Sequence, residues 1–179
     1  MPPQPNIHYL GIDPGQSGGL ALYHPQTKTL ATFKIPKSEE SLVFLFNQLK
    51  HLGGRIVATI EQQIPRPTVY FDPRTQKLQS SILKSTCILY ANYMQLRTAL
   101  RCFGIPFQAV VPETWQAEMS LGHKRQSRSD NKWKNVLKNK ALELFPDHKV
   151  TLWNADAILL AEYCRRSHTP SSVHRKHIS

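Results

Sequence analysis

Cysteine, acidic residues and long apolar runs are all scarce in this sequence. The three cysteines, Cys87, Cys102 and Cys164, are odd in number and lie in apolar, helix-like surroundings. We interpret them as reduced core thiols, because a disulfide framework or a zinc site needs paired or clustered cysteines. No stretch approaches the roughly 20 apolar residues of a membrane span, and the N-terminus lacks the features of a signal peptide. These absences predict a cytoplasmic protein without a membrane partner.

The shortage of acids leaves a large positive charge. Lysine and arginine together number 23 against 12 aspartates and glutamates, a net charge of +11. Basic side chains release condensed counterions when they bind phosphates, so this excess favours a polyanionic partner. A solvated basic surface is the alternative. A length of 179 residues with 40% hydrophobic content suits one globular domain, which we place at 1–166, followed by a basic tail at 167–179 that we expect to be disordered.

The order of the apolar segments predicts an α/β fold. Three strands in an antiparallel meander open the chain, at Ile7–Asp13, 20–24 and 29–35. Strands at 55–62 and 105–111 then alternate with helices, which is typical of parallel strands with covered faces. We therefore expect a mixed five-stranded sheet with helices on both faces.

Helix signals fill the spaces between these strands. Ser38 is placed to cap the first helix, and a loop is expected at 65–79 before a long helix at about 80–103. The buried stripe of the first helix consists of Leu42, Leu45, Phe46, Leu49 and Leu52.

The C-terminal third is expected to be mostly helical. Pro112 opens a short helix, and 122–132 is a basic loop with almost no apolar residue. Asp130 can cap the next helix, and Asn154 can cap the last one, at 155–166. The stripe of the helix after Asp130 consists of Trp133, Leu137, Ala141 and Leu144.

Three carboxylates stand in places that are unusual for surface acids. Asp13 and Glu61 end two apolar strands, and Asp156 lies in the first turn of an apolar helix. In α/β sheets, ligand sites form beyond the carboxyl ends of the strands, so these acids are expected to converge. Clustered like charges need a cation, and oxygen ligands suit Mg²⁺ or Mn²⁺. The alternatives are a turn role for Asp13 and a helix-dipole role for Asp156.

Three short motifs around these acids resemble those of RuvC-family Holliday-junction resolvases. The strand-turn-strand at 9–21, the segment 60–62 and the segment 155–161 each contain one of the carboxylates at matching spacing. The segment 111–116 is also similar to phage and plasmid members of that family. The resemblance spans about 7–166, but only the three motifs are specific.

The resemblance implies a ribonuclease H-like fold, a homodimer and paired symmetric nicking of a four-way DNA junction. It assigns metal binding to Asp13, Glu61 and Asp156. Two Mg²⁺ ions about 4 Å apart, for which Mn²⁺ can substitute, would activate a water and stabilise the leaving 3′-oxygen.

One position departs from the family pattern. RuvC-type enzymes usually place a further acid or histidine three residues before the last aspartate, where this sequence has Trp153. Asn154, or Asp147 and His148, are the candidates to replace it as a ligand of the second metal.

Basic and aromatic residues supply candidates for contact with DNA. For the family's catalytic basic residue the candidates are Lys132, Lys134 and Lys138, and the distance to the last motif favours Lys134. A solvated helix face is the alternative for each. Phosphate contacts are assigned to Lys and Arg side chains, and base stacking to aromatic ones; the further candidates are Arg66, Tyr70, Phe71, Arg74, Lys124, Arg125 and Arg128.

Three other functions compete with the resolvase as interpretations of this sequence. An actin-like or sugar-kinase ATPase needs a second domain and a second glycine-rich Asp turn, which this sequence does not contain. A non-catalytic junction-binding protein would agree with the missing acid at Trp153. An RNA-processing nuclease of the same fold also stays open.

Overall fold

The computed structural model describes residues 6–64, 68–81, 84–121 and 130–168. Within these ranges the strands are β1 (Ile7–Asp13), β2 (Gly19–His24), β3 (Thr29–Lys34), β4 (Arg55–Glu61), β5 (Thr68–Asp72), β6 (Lys77–Ser81) and β7 (Phe107–Val110). The helices are α1 (Glu39–Lys50), α2 (Lys84–Cys102), α3 (Pro112–Glu118), α4 (Asp130–Leu144) and α5 (Ala155–His168).

The main sheet has the predicted mixed topology. Its strand order is β3-β2-β1-β4-β7. The strands β1, β2 and β3 form the antiparallel meander. Strand β4 pairs in parallel with β1, and β7 pairs in parallel with β4. The prediction of a mixed five-stranded sheet is confirmed.

Helices cover both faces of this sheet. Leu10 and Ile12 of β1 belong to one core cluster, together with apolar residues of α1 and α2. Ala21 of β2 belongs to a second cluster, formed mainly by α3, α4 and α5. Because neighbouring strand residues point to opposite faces, Gly11 and Asp13 share the face that α5 covers.

The predicted loop at 65–79 is partly wrong, because β5 and β6 form a separate antiparallel hairpin there. Residues 68–71 are β-branched or aromatic, types that favour strands, and the prediction gave more weight to the neighbouring prolines. The turn itself covers 73–76, where Gln76 has a φ of 51°.

Helix α1 largely follows its prediction. The Ser38 hydroxyl accepts a hydrogen bond from the Ser41 N–H, which confirms the cap. Leu42, Phe46 and Leu49 are buried, and Leu45 packs against the same cluster while partly exposed. The prediction for Leu52 is wrong: it is 53% exposed, because the helix ends at Lys50 and its periodicity no longer applies.

Helix α2 begins at Lys84, a few residues later than predicted, and buries Tyr93, Leu96 and Leu100. Strand β7 is likewise shorter than the predicted 105–111. Over the described ranges, no helix combines the length and the apolar character that crossing a membrane requires.

The cysteines differ from their prediction as core thiols. All three are free, but only Cys164 is buried, whereas Cys87 and Cys102 are exposed. Both exposed thiols lie on α2, outside the face that carries its buried residues. An apolar sequence neighbourhood does not show which side of a helix a residue occupies.

The buried positions of α4 agree with the predicted stripe, whereas Asp130, predicted as its cap, is the first residue of the helix. Trp133, Leu137 and Ala141 of α4 are buried, and Leu144 packs against the same cluster while partly exposed. Helix α5 runs to His168, two residues beyond the predicted end of the domain. The rest of the basic tail, 169–179, lies outside the described residues.

Candidate functional site

Two of the predicted acids lie at the same level on neighbouring strands. Asp13 is the last residue of β1 and Glu61 the last of β4. The two strands are parallel, and Ile12 pairs with Ile60 at the end of their register. Ile12 and Ile60 belong to the core cluster on the side of α1 and α2. Because side chains alternate along a strand, the carboxylates that follow them point to the opposite face, which α5 covers.

Helix α5 brings the third acid to this edge through close backbone packing on β1. A Cβ added at Gly11 would lie 2.1 Å from the Ala157 carbonyl oxygen and 2.2 Å from the Ala161 nitrogen. Glycine in the strand and alanines on the helix therefore let the two backbones approach. Asp156, in the first turn of α5, is 7% exposed beside them.

A glycine-rich turn encloses the Asp13 carboxylate. The Gly15 N–H donates to Asp13 Oδ1 over 3.0 Å. A Cβ added at Gly18 would lie 2.7 Å from Asp13 Cγ and 2.8 Å from its Oδ2, so the turn can fold over the carboxylate only with glycine there. Asp13 is 8% exposed. Asp13 thus accepts a hydrogen bond within the turn and at the same time lies close to Asp156.

Both carboxylate oxygens of Glu61 accept a hydrogen bond. The indole Nε1–H of Trp115 donates to Oε2 over 3.0 Å, and Gln63 Nε2 donates to Oε1 over 3.0 Å. Trp115 belongs to α3 and is fully buried, so its indole provides a firm support for Glu61. The sequence carried no signal for either contact, apart from the 111–116 motif that includes Trp115.

Among the three lysine candidates on α4, Lys134 contacts an acid of the site. Its Nζ donates to Asp156 Oδ2 over 2.5 Å. Within the described ranges, nothing donates to the other oxygen, Asp156 Oδ1, although it is buried. A buried carboxylate oxygen without a partner is costly and can accept a cation or a water.

The electrostatics show that the acids influence one another. Burial, and then the Asp156 charge, raise the pKa of Asp13 to about 6. Burial, followed by the charges of Asp13 and Asp156, raises the pKa of Glu61 to about 8. Burial alone would lower the pKa of Lys134, but the carboxylates outweigh it, led by Asp156, so that pKa lies above its ordinary value.

The carboxylate oxygens of Asp13, Glu61 and Asp156 are of the type that Mg²⁺ prefers as ligands. Across the described part of the chain, no three carboxylate, imidazole or thiolate groups are close enough to hold one ion together. Mg²⁺ is usually held by one or two carboxylates and completes its shell with water and phosphate oxygens. Pairs of these three carboxylates, with the unpartnered oxygen of Asp156, meet that need.

The position of the missing family acid is occupied by an indole ring. A Cβ added at Gly19 would lie 2.8 Å from Cζ3 of Trp153, and Lys34 Nζ lies 5.8 Å from the centre of the Trp153 ring. Trp153 therefore packs on the residue that pairs with Asp13 across the β1–β2 ladder.

Among the described residues, no hydrogen bond or ion pair joins the proposed substitutes for that acid to Asp13, Glu61 or Asp156. Asn154 Oδ1 accepts hydrogen bonds from the Thr151 N–H and hydroxyl, and its Nδ2 donates to the Lys149 carbonyl. Asn154 stands at the predicted cap position, because it directly precedes α5 and its carbonyl accepts the Ile158 N–H, but its side chain supports the preceding loop. Asp147 is exposed and His148 is half-buried.

The remaining DNA-contact candidates that the structure describes lie on β5, in the turn that follows it and on α4. Arg74 is exposed in the β5–β6 turn, with its N–H donating to Asp72. Lys132 is exposed and Lys138 half-buried on α4. Tyr70 and Phe71 lie in strand β5 instead of the predicted loop. The four other candidates lie outside the described residues: Arg66, Lys124, Arg125 and Arg128.

Comparison with known proteins identifies the fold. A structure of Thermus thermophilus RuvC in complex with a Holliday junction substrate matches with a TM-score of 0.51 at 13% identity, covering 91% of this chain and 96% of that chain. Another T. thermophilus RuvC structure has a TM-score of 0.48 at 14% identity, with 90% and 95% covered. No protein-family model matches the chain, and no curated protein matches its sequence. The first likeness and the sheet topology establish a ribonuclease H-like fold of the RuvC type.

Proposed function

We propose that this protein is a metal-dependent, structure-selective DNA endonuclease that resolves four-way junctions by paired symmetric nicks. The observation that carries the proposal is the convergence of Asp13, Glu61 and Asp156, from three separate elements, at the carboxyl edge of a RuvC-type sheet. The raised pKa values of Asp13 and Glu61 and the unpartnered oxygen of Asp156 indicate that the negative charge of the carboxylates exceeds the positive charge that Lys134 supplies.

The roles of the residues follow from their positions. Mg²⁺, when bound, would supply Lewis-acid activation of a water and stabilisation of the leaving oxygen. Pairs of the carboxylates Asp13, Glu61 and Asp156 would hold it, with the Gly15 N–H orienting Asp13. Lys134 forms an ion pair with Asp156 and adds a positive charge that can attract the scissile phosphate.

Substrate and assembly extend the proposal. A net charge of +11 favours a nucleic-acid partner, and two nicks at symmetric positions need two active sites. We therefore expect a homodimer to act on one junction. The exposed Arg74 and Lys132 stay candidates for phosphate contacts, as do the basic residues outside the described ranges.

Cleavage of a labelled four-way junction in Mg²⁺ and in EDTA tests this proposal, with linear duplex as the control substrate. We expect paired nicks in the wild type, none with Asp13→Asn, and a loss of about 10²- to 10³-fold in rate with Lys134→Ala, the range seen when one charge-stabilising donor is removed. Lys140→Ala is a matched control on the same helix, because Lys140 pairs with Glu143. Equal cleavage by wild type and Asp13→Asn would refute the assignment.

A non-catalytic junction-binding protein is the second candidate. It is favoured by Trp153 in place of the usual acid and by the absence, among the described side chains, of a three-group set around one ion. Tight junction binding without cleavage, in Mg²⁺ and Mn²⁺ alike, would establish it. Cleavage confined to an RNA version of the junction would instead identify an RNA-processing nuclease.

A further inference from the structure

The α3 helix contributes to the acidic site through one side chain. Trp115 is 0% exposed and lies in the core cluster of α3, α4 and α5. A buried indole N–H needs an acceptor, and here the acceptor is Glu61 Oε2, at 3.0 Å. The indole N–H of Trp115 therefore donates to a candidate metal ligand and not to a backbone carbonyl.

The backbone places this indole through direct strand pairing. Val110, at the end of β7, pairs with Glu61 of β4, and the Gln62 N–H donates to the Val110 carbonyl over 2.7 Å. Helix α3 begins two residues later, at Pro112, and presents Trp115 in its first turn. The strand that flanks Glu61 therefore leads straight into the helix that holds its carboxylate.

The two hydrogen bonds leave Glu61 able to bind a cation. Each carboxylate oxygen can accept about two hydrogen bonds or ligands, and Trp115 and Gln63 use one on each. Gln63 is half-buried in the segment after β4, whereas Trp115 is held within the packed core. We expect the indole to be the more rigid of the two donors, because its ring is fully buried.

We propose that Trp115 is a positioning residue, which orients the Glu61 carboxylate for binding of a divalent cation. The inference depends on the proposed function, because it assigns Glu61 to metal binding. Removing a group that donates a hydrogen bond to a metal ligand typically lowers metal affinity by about 10- to 100-fold. Trp115 acts through Glu61 and does not itself contact the substrate or the reacting atoms.

The experiment measures Mn²⁺ binding to the full chain by isothermal titration and by electron paramagnetic resonance. Trp115→β-(3-benzothienyl)alanine keeps the ring size but replaces the N–H with sulfur, and Trp115→Phe serves as a simpler variant. The same isosteric replacement at Trp133 is the matched control, because Trp133 is buried in the same cluster. We expect the Kd for Mn²⁺ to rise about 10- to 100-fold at position 115 and to change less than about twofold at position 133.

Two further readouts separate positioning from stability. In a Glu61→Gln background, replacing Trp115 should cause no additional loss of Mn²⁺ affinity, because the two residues act as one unit. In junction cleavage, raising the Mg²⁺ concentration should restore the rate of the Trp115 variant, while KM for the junction stays unchanged. A defect of folding alone would add to the loss of Mn²⁺ affinity in the Glu61→Gln background, so the absence of an additional loss there separates positioning from stability.

The outcomes distinguish this proposal from the proposed function. If replacements at 115 and 133 have equal effects on Mn²⁺ binding while the wild type cleaves junctions, the positioning role is refuted and the nuclease stands. If the wild type binds Mn²⁺ with dependence on Trp115 but cleaves no junction, the nuclease proposal fails and the positioning role stands. A wild type that binds no Mn²⁺ overturns the positioning role.

Discussion

The substitution Asp13→Asn is expected to make the metal-free protein more stable while abolishing cleavage. Burial and the nearby Asp156 raise the pKa of Asp13 from 3.8 to about 6, so the folded state holds this carboxylate in its charged form at a cost. One pKa unit corresponds to ~1.4 kcal/mol, and the shift is therefore equivalent to about 3 kcal/mol at pH 8. The asparagine oxygen can still accept the Gly15 N–H, which limits the loss of hydrogen bonding.

The sign of the pH dependence follows from linkage. A carboxyl group whose pKa is higher in the folded than in the unfolded state makes the protein lose stability as pH rises between the two values. Wild type and Asp13→Asn should therefore be equally stable near pH 4 and should differ fully above pH 6. Glu61, whose pKa is about 8, extends the loss of wild-type stability to higher pH.

Thermal unfolding in EDTA at pH 4.5, 6 and 8 measures this effect. For a chain of this length, about 3 kcal/mol corresponds to a rise in Tm of about 6–12 °C. Adding Mg²⁺ at 100 times its Kd should stabilise the wild type by about 2.7 kcal/mol and the variant much less, so the difference should narrow. Asp147→Asn removes an exposed carboxylate and is the control. A variant that is no more stable than the wild type in EDTA at pH 8 would refute the electrostatic account of the site.

Two further predictions test the packing of α5 and the burial of the thiols. Gly11→Ala should lower the free energy of unfolding by about 1–3 kcal/mol, because its Cβ would lie 2.1 Å from the Ala157 carbonyl oxygen. Urea denaturation measures this, and an unchanged midpoint would contradict the close packing. Under native conditions an aromatic disulfide reagent should modify Cys87 and Cys102 rapidly. Cys164, whose pKa burial raises to about 11, should react only on unfolding, and three rapid thiols in the native protein would contradict its burial.

Features that depend on neighbouring residues were predictable from the sequence. The five main strands, the Ser38 cap and most buried positions of α1 and α4 follow from side-chain periodicity and capping chemistry. Asp13 and Glu61 could be recognised as candidate ligands because each ends an apolar strand, and the topology rule for strand ends placed them together. The β5–β6 hairpin was missed because proline-rich surroundings and β-prone residues gave opposing local signals.

The tertiary structure decided the contacts between distant segments. Lys134 meets Asp156 across 22 positions, and Trp115 meets Glu61 across 54; no local pattern selects these partners. The sequence favoured Lys134 among three lysines by spacing alone, and its catalytic role stays a prediction. Likewise, only the packing of α5 on Gly11 shows how Asp156 reaches the sheet edge. Periodicity and capping are properties of short segments and can be read from the sequence, whereas the surroundings of each carboxylate depend on packing between elements far apart in the chain.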